Sequence, residues 1–147
     1  MPNVFDVAKY ILEKKGSMTT WKLQKLVYYC QVWSVVWDEE PIFDQSIEAW
    51  ANGPVVRELF NIHQGEFKVN VSNVPRGKSE NLKQNHKETI DAVLRDYGDF
   101  TSQYLSDLTH MEAPWREARG STPEGASSDS VISLESMLRY YGSLVKE

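Results

Sequence analysis

The stretch from Met18 to Phe60, MTTWKLQKLVYYCQVWSVVWDEEPIFDQSIEAWANGPVVRELF, leaves this chain the least freedom. It holds four of the five tryptophans and the only cysteine. Its first half has the period of a helix. Thr19 or Thr20 can cap it, and Leu23, Leu26, Val27, Cys30, Trp33 or Ser34, and Trp37 follow at three- and four-residue spacing. Tyr28, Tyr29, Trp33 and Val36 widen the apolar surface past a single stripe, which predicts a helix enclosed on more than one side. Pro41 stops it. Ile42-Phe43 and Ile47 to Trp50 then read as two short strands around Asp44-Gln45-Ser46. Asn52-Gly53-Pro54 reads as a turn into a helix over Val55 to Phe60, with Pro54 in its first turn.

The flanks add further helices. Asn3 can cap a first helix with Val4, Val7, Ala8, Ile11 and Leu12 as its stripe, Lys14 and Lys15 at its C-terminus and Gly16 as its stop. Asn61 to Glu80 is polar and weakly periodic. Phe67, Val69, Val71 and Val74 within it fit one more extended segment or an ordered loop. Leu82 to Tyr97 is helical, with Ile90, Val93, Leu94 and Tyr97 on one face, and Gly98 closes it. Thr101 or Ser102 starts the next helix, with Tyr104, Leu105, Leu108 and Met111 facing inward. Pro114 opens a short one carrying Trp115 and Ala118, and Gly120 to Ser128 is a loop. Ser130 or Ser133 caps a last helix with Ile132, Leu134, Met137, Leu138, Tyr141 and Leu144. The expected fold class is mainly α. It is a single helical domain, residues 1–147, around a central helix of about residues 19–37, with a small β-hairpin element.

Composition narrows the function. No run of eighteen apolar residues exists, and the N-terminus has no charged start followed by an apolar h-region. Cys30 has no disulfide partner and falls on an apolar helix face, as a small core residue does. A cytoplasmic location and no membrane partner are expected. Net charge is −5, which gives little counterion-release gain on nucleic acid, so direct DNA binding is not expected. Between Lys68 and Lys87, five cations face only Glu80, a local +4. This is either a solvated face or a docking patch for an acidic partner.

Residues with chemistry are scattered. His63, His86 and His110 are isolated, and no HxxxH, CxxC or phosphate-binding glycine loop occurs, so no metal, cofactor or catalytic set is assigned. An enzyme reading would have to bring Cys30, His110 and Glu112 together. His110 reads either as a polar contact or general base, or as an imidazole bridging backbone groups at a helix end. Trp50 and Trp115 are core wedges or interface anchors.

Three pieces carry a resemblance. KLQKLVYYCQVW, then PIF and EAWANGPVVRELF, then LSDLTHMEAPWREA are similar to the Panacea domain family, the SocA- and GepA-like antitoxins of bacteria and phages. The matching positions are Lys22-Leu23, Lys25-Leu26 and Tyr28, then Ala49-Trp50 and Gly53-Pro54-Val55. Leu105-Ser106, Thr109-His110, Glu112 and Pro114-Trp115 complete the pattern. The resemblance implies an antitoxin that neutralises a toxin protein encoded nearby by direct contact; the alternative is an adaptor or regulator that hands a bound partner to a protease, and the residues themselves favour a binding module over an enzyme. Phe43, Trp50, Arg57, His110 and Trp115 are the partner-binding candidates, centred on the hairpin, where short strands would leave an edge for a partner strand.

Overall fold

A computed structural model describes residues 1–145. The fold is mainly α with a small antiparallel β element. The first helix, α1 (Val4–Lys15), is capped by Asn3, whose side chain accepts from Asp6 N while the Asp6 carboxylate takes Asn3 N. Gly16 ends it at φ 83°. Strand β1 (Met18–Thr19) follows, and Thr19 then caps the central helix α2 (Thr20–Asp38) by accepting from Lys22 N. Helix α2 ends on Glu39, a non-glycine residue at φ 58°, two residues before Pro41.

As the double stripe requires, α2 is enclosed. Leu23, Leu26, Val27, Tyr29 and Cys30 have no exposed surface. One apolar cluster runs from Val4 in α1 through α2 to Tyr141. Two glutamines seven residues apart on α2 hold the chain that returns across it. Gln31 Oε1 accepts from Ile42 N at 2.8 Å and its amide donates to Phe43 O at 2.8 Å. Gln24 does the same for Val56, accepting from its N–H at 2.9 Å and donating to its carbonyl at 3.3 Å. Pairing these main-chain groups is what permits loop backbone inside a core.

The segment after α2 differs from the expected register. Ile42-Phe43 is not a strand. The hairpin is β2 (Glu48–Trp50) with β3 (Gly53–Val55), joined through Ala51-Asn52. Pro54 lies in β3 opposite Ala49, not in a helix, and α3 (Arg57–His63) begins only after Val56. A proline is compatible with so short a strand because it needs no further ladder bond. The outer edge of β2 is occupied. Ala49 N donates to Ser130 O and Ile132 N to Ile47 O, both at 2.8 Å, so the open edge expected for a partner strand is already paired.

The connector after α3 is an ordered loop with one short extended piece. Strand β4 (Lys68–Val69) pairs antiparallel with β1. Val69 and Val74 are buried, whereas Phe67 and Val71 are exposed. Helix α1 fixes this loop: the buried Asp6 carboxylate takes Lys78 N at 2.8 Å, and Lys9 Nζ donates to Val71 O and Val74 O at 3.1 Å.

Helices α4 (Gln84–Tyr97), α5 (Ser102–Met111), α6 (Ala113–Arg119) and α7 (Leu134–Gly142) complete the fold. Thr101 and Ser133 are the caps used. In α5 the inward residues are Leu105 and Thr109, while Tyr104 and Met111 are exposed. In α7 they are Met137 and Tyr141, with Leu134 and Leu138 outward and Leu144, just past the helix, also exposed. Both helices lie on the surface of the α2 core and bury a narrower stripe than their apolar content suggests.

Candidate partner-binding site

The sequence pieces that stand about fifty residues apart meet at the hairpin. Four consecutive hairpin carbonyls each meet a side chain from the α5–α6 region. Ser106 Oγ donates to Asn52 O at 3.0 Å, and Trp115 Nε1 to Trp50 O at 2.9 Å. Arg119 Nη1 donates to Ala49 O at 3.0 Å. The His110 ring is set between two carbonyls, Ala51 at 2.9 Å from Nε2 and Ser106 against Nδ1. The spacing 106, 110, 115, 119 places these groups along one side of two successive short helices. Arg119 also donates through Nη2 to Pro123 O and Ala126 O and lies 4.8 Å from the Trp115 ring, so the following loop hangs on the same side chain.

The remaining motif residues also face inward. Thr109 Oγ1 donates to Ser106 O and borders Gly53, whose φ of 129° favours glycine and whose missing Cβ leaves room for Thr109 Oγ1 and Lys25 Cε. Glu112 accepts from Tyr29 OH at 2.7 Å and from Tyr141 OH at 2.6 Å, and Tyr28 OH meets Tyr141 OH at 2.9 Å. This buried network ties α2, the α5–α6 junction and α7 together. Burial raises the pKa of Glu112, an effect the two phenol bonds oppose.

The other side of the hairpin is open. A groove of about 550 Å³ is lined by Trp21, Trp50, Ala51, Asn52, Arg57, Ser127, Ser128 and Asp129. Trp50 stands half-buried against Phe60, with ring centroids 4.9 Å apart, and Ala49 is the buried residue of β2. The Trp50 indole N–H donates to Glu48 Oε1 at 2.8 Å. Arg57 reaches the same carboxylate through two nitrogens, at 2.9 and 3.2 Å, and its guanidinium lies 5.1 Å from the Trp50 ring. Arg57 and Trp50 together hold the Glu48 carboxyl below its ordinary pKa despite its partial burial. Beneath this face His63 is buried, and Gln24 Nε2 lies 2.9 Å from its Nε2. The Gln24 amide can only donate there, so the ring accepts and is neutral. Burial lowers its pKa.

The five sequence candidates therefore separate. Trp50 and Arg57 present surface in the groove, joined by Trp21, which sequence reasoning assigned to no site. Its signal was position: one helical turn before Lys25, on the flank of the double stripe. Trp115 is 4% exposed and bonds the hairpin carbonyl of Trp50, while half-buried His110 bridges the hairpin carbonyl of Ala51 and the α5 carbonyl of Ser106. Phe43 is a correction. It is 1% exposed, because Gln31 draws its backbone into the core. Of the three residues named for an enzyme reading, His110 is held between the Ala51 and Ser106 carbonyls. Cys30 is sealed with its thiol pKa pushed up by burial, and Glu112 is taken by tyrosines.

The site is thus a hairpin fixed from behind by a second motif and open in front, on a helical scaffold. The family model of the SocA-like antitoxin, Panacea domain, matches residues 23–116, which contain the central helix, the hairpin and its clamp. The chain belongs to that family. No curated protein and no solved structure matches it. No described helix is long and apolar enough to cross a membrane.

Proposed function

We propose that the chain, as one domain over residues 1–147, is an antitoxin that neutralises a co-encoded toxin by direct protein contact, and that the toxin docks in the groove in front of the hairpin. The observation that carries this reading is the division of labour around the hairpin. The motif Ser106, His110 and Trp115 spends its polar atoms on rigidifying the turn, and the turn presents Trp50 and Arg57 beside Trp21. Tryptophan and arginine on a pre-organised support are the usual anchors of protein interfaces, since little ordering entropy remains to be lost. The family supplies the class of partner.

Coexpression of the chain with the product of the neighbouring reading frame tests this. Trp50→Ala and Arg57→Ala, folded as the parent, are expected to lose protection against growth arrest. Steady toxin levels in protected cells mean blocking, and falling levels mean delivery to a protease. Full protection by both variants would remove the groove from the reading.

A further inference from the structure

Lys25 follows Trp21 by one turn of α2, on the face that meets the hairpin. Its side chain is 2% exposed. The other buried charged side chains of the described residues, Asp6, Glu112 and Arg119, all have hydrogen-bond partners. Lys25 has no ion pair or hydrogen bond among them. Its amino group faces the Trp21 ring at 5.5 Å and abuts Gly53, where the absent Cβ gives it passage. It is not sealed off from solvent. Burial alone holds its pKa down at about 8. An ammonium largely withdrawn from water without a counter-charge is costly, and a carboxylate brought to it relieves that cost.

We propose that Lys25 anchors a carboxylate subsite beside Trp21 and Gly53, adjoining the groove that Trp21 lines, filled by an aspartate or glutamate side chain of the docking protein. The proposal rests on the groove being the docking site. Trp21 and Trp50 cover the residues flanking that acidic side chain. The neighbouring cation, Arg57, already has two of its nitrogens, Nε and Nη2, on Glu48.

The test uses the full chain with isotope-labelled lysine and tryptophan and two blocked tripeptides at millimolar concentration, Ac-Ala-Glu-Ala-NH2 and Ac-Ala-Gln-Ala-NH2. The glutamate peptide is expected to raise the titration midpoint of Lys25 toward that of an ordinary lysine and to move the Trp21 and Trp50 indole signals. The glutamine peptide is expected to leave the Lys25 midpoint in place. Lys25→Met, which keeps the stem and removes the charge, abolishes the difference between the peptides. An unchanged Lys25 midpoint with the glutamate peptide, or equal shifts with both, overturns the subsite. Coexpression separates this from the broader reading. If folded Trp50→Ala loses protection while folded Lys25→Met keeps it, the groove stands and the carboxylate subsite falls. If both keep it, both fall.

Discussion

Trp50 and Trp115 sit on opposite sides of the same hairpin, and their surroundings differ in kind. Behind it, the Trp115 indole N–H is spent on a main-chain carbonyl and the ring is covered by Arg119. In front, the Trp50 indole N–H goes to a half-buried carboxylate shared with Arg57, and the ring borders an open groove. The rear residues pair hairpin carbonyls that are buried at Ala49 and partly buried at Trp50 and Ala51, so their loss is expected to cost stability. The front residues satisfy one another at the surface, so their loss leaves the fold intact. An aromatic or arginine in a motif is thus not in itself an interface residue. What its polar atoms meet decides the matter.

This contrast can be broken by substitution. The largest expected effect is at Trp115→Ala, about 3–5 kcal/mol for removing a buried tryptophan, read by denaturant unfolding. Leu26→Ala on α2, fully buried, sets the reference for a core loss at about 2–5 kcal/mol. Next is His110→Ala, which strips the ring from the Ala51 and Ser106 carbonyls and is expected to cost about 1–3 kcal/mol. If His110→Ala unfolds at the parent's midpoint, the rear face is not a clamp.

A pH titration sharpens the account of the support beneath the front face. His63 and His86 are buried with folded-state pKa values below the ordinary 6.5. The unfolded chain therefore takes up protons more readily. Their contribution to stability is complete above about pH 6.5 and is lost as pH falls below it. His63→Gln is expected to flatten that slope, and an unchanged slope would contradict a neutral, buried His63. The smallest expected stability effect is that of Arg57→Ala, whose exposed ion pair contributes little. A midpoint drop as large as that of Trp115→Ala would erase the distinction between the faces.

Periodicity and capping chemistry located the helices, because both are local. Asn3, Thr19, Thr101 and Ser133 all act as caps from positions a sequence reading selects. The hairpin register was not readable. Its strands are three residues each, and their position depends on long-range groups, Gln31 drawing in Ile42-Phe43 and Arg119 holding Ala49. For the same reason the motifs showed that something was specified at Trp50, His110 and Trp115, but not which side of the hairpin each serves. Phe43 was misplaced as an anchor because an aromatic residue in a presumed strand carries no local mark of which way it points. Backbone burial at Phe43 comes from a side chain twelve residues away.

The central claim, that the front of the hairpin binds and the back positions, is tested most directly by one coexpression assay scored alongside fold. Trp50→Ala and Arg57→Ala are assayed with the product of the adjacent reading frame, each variant checked by thermal unfolding. The account predicts parent-like midpoints with lost protection against the toxin. Parent-like midpoints with full protection in both variants would contradict it.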